Sequence, residues 1–226
     1  MTAIRTELAP LLRGRRAHWV NEVELFDLDS AVVGLSGIGK KAARRAAETL
    51  IGYARPELLV AVGSAGAVSP NLMVGDMGWA REVVDVETGV RYRTRGGDWV
   101  LVTAQAVSGP EEKRAFLQQF GADVVDMEGS AVAQVARERG LEFAAVKAVS
   151  DEADFVMPPL SRFVDDSGRF ATGRFVRYIA VRPRMWFVVS QLRANMRVAS
   201  ANLCRAVEHL IEDYSTSPRA QNVPLA

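Results

Sequence analysis

Residues 121–154 read GADVVDMEGSAVAQVARERGLEFAAVKAVSDEAD, and their periodicity predicts one strand–helix–strand unit. Such a unit commits a chain of this size to an α/β fold with parallel strands. The first strand is expected at 123–126. In the helix that follows, Val132, Val135 and Ala136 share one stripe, while Gln134, Arg137, Glu138 and Arg139 lie largely opposite; Gly140 falls where a left-handed C-terminal cap belongs. Residues 143–149 are continuously apolar apart from Lys147, as in a strand buried on both faces. A lysine in that setting needs a partner, and a carboxylate of the site is the expected one. Glu128 follows the first strand and Asp151 the second, so both acids are expected at the carboxyl edge of neighbouring or near-neighbouring strands, where open α/β sheets bind ligands.

The flanking regions support this centre. Residues 6–12 predict a helix, 20–28 an antiparallel or edge strand, and 31–35 a short apolar strand leading into Ser36-Gly37-Ile38-Gly39-Lys40 and a helix over 41–53. That glycine stretch lacks the spacing of a Walker loop. Residues 58–62 predict a buried strand running into Gly63-Ser64-Ala65-Gly66-Ala67, a loop of small residues able to approach a sugar or base closely. Strands are expected at 77–84 and 100–107, with a surface hairpin or loop over 85–98, and a helix at 111–120. Beyond Asp154 the pattern changes to two helical segments divided at Pro183, the last carrying Leu192, Met196, Ala199, Leu203, Val207 and Leu210 at helical spacing.

Composition narrows the chemistry. A chain of 226 residues, 49% hydrophobic and 24% charged, suits one domain spanning 1–226, with a helical C-terminal region over 155–226. A formal net charge of +1 gives no general pull toward nucleic acid, which is not expected as a partner. One cysteine, Cys204, excludes an intramolecular disulfide, and two distant histidines, His18 and His209, make a histidine triad or metal site a poor fit. No metal or cofactor is expected. The first residues lack the apolar core of a signal peptide and no run approaches a membrane helix in length, so a cytoplasmic location is expected.

Four words occur in order: Leu35-Ser36-Gly37-Ile38-Gly39-Lys40; Val62-Gly63-Ser64-Ala65-Gly66-Ala67 followed by Val74-Gly75-Asp76; Val125-Asp126-Met127-Glu128; and Ala148-Val149-Ser150-Asp151-Glu152-Ala153-Asp154. On these the chain resembles the 5′-methylthioadenosine/S-adenosylhomocysteine nucleosidases of the purine nucleoside phosphorylase-like superfamily, over about residues 31–154. The resemblance implies a three-layer α/β/α domain with a mixed central sheet, a homodimer, and hydrolysis of a 5′-modified adenosine to release adenine. It implies that Asp151, kept protonated by a raised pKa, donates to the base with help from Ser150. Glu128 would bind the ribose hydroxyls, Met127 would pack on the ribose, and Ser64 and Gly66 would line the sugar and water site. Lys147 stands where relatives tend to have an arginine orienting the glutamate. Glu7 is the candidate for activating water, and Ala61 replaces the phosphate-holding arginine of phosphorylases, which favours hydrolysis. The adenine-stacking phenylalanine of relatives is replaced near Val107, leaving Phe163 or Phe155 to supply the ring. The family's first interior strand is missing, which suggests a start codon upstream or a truncated chain and predicts exposed backbone and a disturbed Glu7.

Other readings of the same residues stay open. Glu128 also fits a helix start favoured by the dipole, Asp151 a turn or cap, and the enzyme reading competes with a phosphorylase or a nucleoside-binding protein without catalysis. Phe170, Phe175, Tyr178, Trp186 and Phe187 interleave with Arg169, Arg174, Arg177, Arg182 and Arg184. Solvated arginines over an aromatic core, a lid over an apolar substrate tail, a dimer contact and attachment to an anionic membrane surface all fit that pattern. The lid would suit an adenosine with a large hydrophobic 5′ group.

Overall fold

In the computed structural model, residues 1–165 and 167–216 are described. A short 3-10 turn, Arg5–Leu8, replaces the helix expected at 6–12 and precedes three antiparallel strands, β1 (Ala17–Val20), β2 (Val23–Asp27) and β3 (Val32–Leu35). The antiparallel strand expected at 20–28 forms as β2 over Val23–Asp27, and a further strand, β1, precedes it across a hairpin turn. Asn21 and Glu22 both adopt positive φ, 46° and 65°, the backbone that a two-residue hairpin turn demands. Helix α1 (Lys40–Ala54) follows Gly37 and Gly39, whose φ values of 80° and 94° no β-branched residue would tolerate.

The second sheet contains β4 (Leu58–Ala67), β5 (Met77–Asp85), β6 (Arg91–Arg93), β7 (Trp99–Thr103), β8 (Val124–Asp126) and β9 (Glu142–Asp151) in the order β6-β5-β7-β8-β4-β9. Helix α2 (Pro110–Phe120) lies between β7 and β8, and α3 (Gly129–Glu138) between β8 and β9. The expected mixed central sheet with flanking helices forms, and it also closes on itself: Met77–Trp79 of β5 pairs antiparallel with Val146–Ala148 of β9. Gly78 permits this closure, because a Cβ there would meet the Trp99 ring at 2.4 Å. Residues 63–67, expected as a loop, are the end of β4. There a register shift between Ala65 and Gly66 lets the strand leave β9 and pair with β8 through Gly66 and Ala67. The carboxyl ends of β8 and β9 thus flank β4, and the acids at those ends face a common space.

The first three residues join the two sheets. Val62 N–H donates to Met1 O at 2.8 Å, Thr2 N–H to Gly34 O at 3.0 Å and Ser36 N–H to Thr2 O at 2.9 Å. Beyond Met1 a groove of about 450 Å³ continues between β3 and β4. Helices α4 (Thr172–Ala180) and α5 (Pro183–Thr216) complete the chain. Ala199, Leu203, Cys204 and Val207 of α5 pack with Leu8, Leu12, Phe26 and Val146, so the expected amphipathic helix lies against the sheet and the N-terminal segment.

Candidate active site

The carboxyl ends of β4, β8 and β9 form the floor of a cavity of about 490 Å³. Ser64, Gly66, Val107, Met127, Glu128, Ser150, Asp151 and Glu7 all line it. Residues separated by up to 144 positions are thereby brought to one space.

Asp151 sits at the base of this floor, fully buried. Its Oδ1 accepts from Ser150 Oγ at 2.7 Å, and its Oδ2 accepts from Lys113 Nζ at 2.6 Å. Lys113 is also buried, and it donates to Glu152 O at 2.8 Å. The Asp151 carboxyl group thus meets two donors, the Ser150 hydroxyl and the Lys113 ammonium, the latter as a buried ion pair. Gly66 makes room for the pair, since a Cβ there would lie 2.8 Å from Asp151 Oδ2 and 3.1 Å from Lys113 Cε. Lys113 went unrecognised in the sequence, yet a signal was present. It shares the inward stripe of α2 with Phe116 and Phe120, and a lysine in the apolar phase of a helix requires an anion.

Glu128 lies at the start of α3, where Gly39 N–H donates to its Oε1 at 2.7 Å. Removal of the carboxyl from water, and then the neighbouring Asp126 charge, push its pKa up to about 8 against the opposing pull of Lys147. Lys147 does not grip Glu128 as expected. Its Nζ is 2.7 Å from Asp126 Oδ2, and Asp126 accepts further bonds from Thr103 Oγ1 at 2.7 Å and Gly129 N–H at 2.9 Å. The cause is placement: Asp126 ends β8 inside the sheet, whereas the Glu128 side chain has passed onto the helix and into the cavity. Burial would lower the Lys147 pKa, but the Asp126 and Glu128 carboxylates outweigh it and the net shift is upward.

Glu7, on the 3-10 turn, reaches the far side of the cavity. Ser64 N–H and Ser64 Oγ both donate to its Oε1 at 2.7 Å, while Thr2 Oγ1, Ala3 N–H and Ile4 N–H donate to Oε2 at 2.6, 3.1 and 3.2 Å. Five donors satisfy the carboxylate fully, and Glu7 is fixed rather than disturbed. A water reaching it must displace a hydroxyl, and the Ser64 and Thr2 rotors are the ones able to turn aside.

The roof is apolar: Met157, Leu160, Val164, Phe170, Leu192 and Met196 line it. Phe163 does not. It is buried in a ring cluster with Phe170, Phe175 and Tyr178, at centroid separations of 6.3, 5.2 and 5.3 Å, because its 3-10 turn presents Leu160 to the cavity instead. The ring at the cavity is Phe170, and Phe155 is not among the lining residues. Val107 lines the cavity as an aliphatic wall, its N–H accepted by Ser161 Oγ at 3.2 Å. Among the described residues no group of three or more histidine, cysteine or acidic side chains is arranged to hold a metal ion.

Against this geometry, known proteins agree. The family model described as the phosphorylase superfamily matches residues 15–99 and 93–212. The chain is 32% identical over 161 residues to the 5′-methylthioadenosine/S-adenosylhomocysteine nucleosidase of Geobacillus kaustophilus (strain HTA426), a match covering 54% of this chain and 67% of the relative. Among solved structures it is similar to the corresponding nucleosidase of Neisseria meningitidis in complex with methylthio-immucillin-A, with a TM-score of 0.71, 19% identity, and coverage of 94% and 96% of the two chains. A Colwellia psychrerythraea 34H nucleosidase in complex with adenine gives a TM-score of 0.69 at 19% identity, covering 93% and 92%. The futalosine hydrolase of Helicobacter pylori strain 26695 gives 0.67 at 18% identity, covering 92% and 95%. At such identities the structural likeness speaks to fold, while the family match covers most of the sequence. The chain therefore belongs to the phosphorylase superfamily and, within it, is a relative of the 5′-methylthioadenosine/S-adenosylhomocysteine nucleosidases.

Proposed function

We propose that the protein is a purine nucleosidase that hydrolyses the N-glycosidic bond of a 5′-modified adenosine and releases adenine. The observation that carries this reading is the convergence of Asp151, Glu128 and Glu7 on one cavity from three separate parts of the fold. Cleavage leaves positive charge on the sugar and negative charge on the base, so a proton at the base and a carboxylate at the sugar lower the same barrier. Asp151 delivers the proton to the purine ring, and the Lys113 ammonium, 2.6 Å from its Oδ2, orients that carboxyl group. Glu128 accepts the ribose hydroxyls and Met127 packs on the sugar. Glu7 orients and deprotonates the attacking water once a hydroxyl turns aside.

Water rather than phosphate is the favoured nucleophile. Ala61 is buried in β4 where a phosphate-holding arginine would stand, and the cationic residues lining the cavity, Arg5 and Lys113, already face Glu24 at 3.5 Å and Asp151 at 2.6 Å. The apolar roof suits the 5′ substituent. The homodimer is retained on family likeness, and light scattering of the purified protein tests it.

The deciding assay measures adenine release from methylthioadenosine and adenosylhomocysteine with and without phosphate. Equal release in both conditions is expected. A requirement for phosphate, with ribose 1-phosphate as product, would make the enzyme a phosphorylase; binding of both nucleosides without turnover would leave a nucleoside-binding protein.

A further inference from the structure

Residues 167–207 contain eight arginines and no lysine, aspartate or glutamate, whereas the rest of the chain holds 20 basic against 27 acidic residues. A nearly neutral protein is thus sharply polar in its charge. Arg174, Arg177, Arg182, Arg184, Arg193 and Arg197 are exposed, and among the described residues none of them joins an ion pair. At the corner between α4 and α5 the arginines surround exposed apolar side chains: Val181 is 75% exposed, Phe187 75% and Trp186 55%. Trp186 is fixed in that attitude, its indole N–H donating to Ile179 O at 2.8 Å.

We propose that this corner docks on an anionic lipid bilayer surface. The chemistry favours that occupant over others. Arginines and a tryptophan around apolar side chains match the headgroup boundary, where phosphates meet the arginines and the aromatic and aliphatic groups enter the acyl region. A second copy meeting this patch about a two-fold axis would set the same arginines, none of them charge-neutralised by an ion pair among the described residues, against each other. Nucleic acid would use the charge but leave Val181 without a partner. No helix among the described residues is long and apolar enough to cross a membrane, so the contact is peripheral.

The docking also bears on the site. Leu192 and Met196 on the inner side of α5 line the cavity, while the adjacent Arg193 and Arg197 face outward. One helix therefore carries both the cavity roof and the lipid-facing arginines, and docking holds the cavity close to the bilayer.

Flotation of the full chain with phosphatidylcholine vesicles, with and without phosphatidylglycerol at about a third of the lipid, tests the proposal. Binding is expected only to the anionic vesicles and is expected to disappear at high salt. Arg182→Gln with Arg184→Gln should lower partitioning about 30-fold, roughly fivefold per arginine. Phe187→Ser should weaken it at every salt concentration at which the parent binds. All three residues lie outside the cavity lining, so circular dichroism and nucleoside binding of the variants should match the parent and exclude misfolding. Failure to bind anionic vesicles, equal binding to neutral ones, or a Phe187→Ser change that turns a dimer into a monomer in light scattering would each overturn the proposal. The last would identify the corner as a contact between copies.

Discussion

The floor and the roof of the cavity are stabilised in opposite ways. On the floor two buried lysines are each matched by a carboxylate: Lys113 of α2 with Asp151 at 2.6 Å, and Lys147 of β9 with Asp126 at 2.7 Å. On the roof no charge reaches the cavity, and apolar contacts among Met157, Leu160, Phe170, Leu192 and Met196 shape the space, with the arginines turned outward. The difference teaches where sensitivity lies. A floor built from ion pairs at low dielectric has one arrangement, and losing one partner leaves an uncompensated charge; a roof built from side chains of similar apolar character can give way by small amounts.

Breaking the floor should have the largest effect. Asp151→Asn removes the proposed proton path, and adenine release should fall by about 10²–10⁴-fold in kcat. Lys113→Met isolates the Asp151 carboxylate and should cost about 3–5 kcal/mol in chemical denaturation, whereas Lys113→Arg should retain part of that stability. Equal stability of Lys113→Met and the parent would show that the pair contributes nothing.

A smaller effect tests the contrast within the floor between Asp151, which has a cation, and Glu128, which has one backbone donor. With its pKa at about 8 against an ordinary 4.5, folded Glu128 holds its proton more tightly than the unfolded chain does. Its contribution to stability is therefore complete below about pH 4.5 and is lost as pH rises through about 8. The melting temperature of the free protein should decline across that window, and Glu128→Gln should flatten the decline. Ribose hydroxyls donating to Glu128 favour its ionised form, so nucleoside binding near pH 7 should release protons, visible as a buffer-dependent heat. An unchanged pH profile in Glu128→Gln would remove this group as the cause.

The smallest effect belongs to the roof. Leu192→Ala with Met196→Ala should raise KM for nucleosides with long apolar 5′ substituents by roughly 10-fold, leaving kcat nearly unchanged, the equivalent of losing about two methylene contacts with the substituent at about 0.8 kcal/mol each. An effect as large on adenosine itself would place those residues at the sugar or base instead.

Sequence periodicity alone determined much of this molecule. The strand–helix–strand unit ending in Glu128 and Asp151, the glycine-opened α1, and the division of the C-terminal helices at Pro183 all follow from local patterns, since a strand's or helix's burial is written in its own spacing. The family words led to residues that do meet at one cavity. What spacing could not carry was partnership. Only the closed sheet decided that Lys147 pairs with Asp126 rather than Glu128, that residues 63–67 extend β4, and that Phe163 faces its own ring cluster while Phe170 faces the cavity. The same holds for Lys113 and Asp151, 38 positions apart and joined at 2.6 Å. Whether a buried charge has its partner depends on which strand ends the fold brings together, and that is a property of the closed sheet rather than of any one segment.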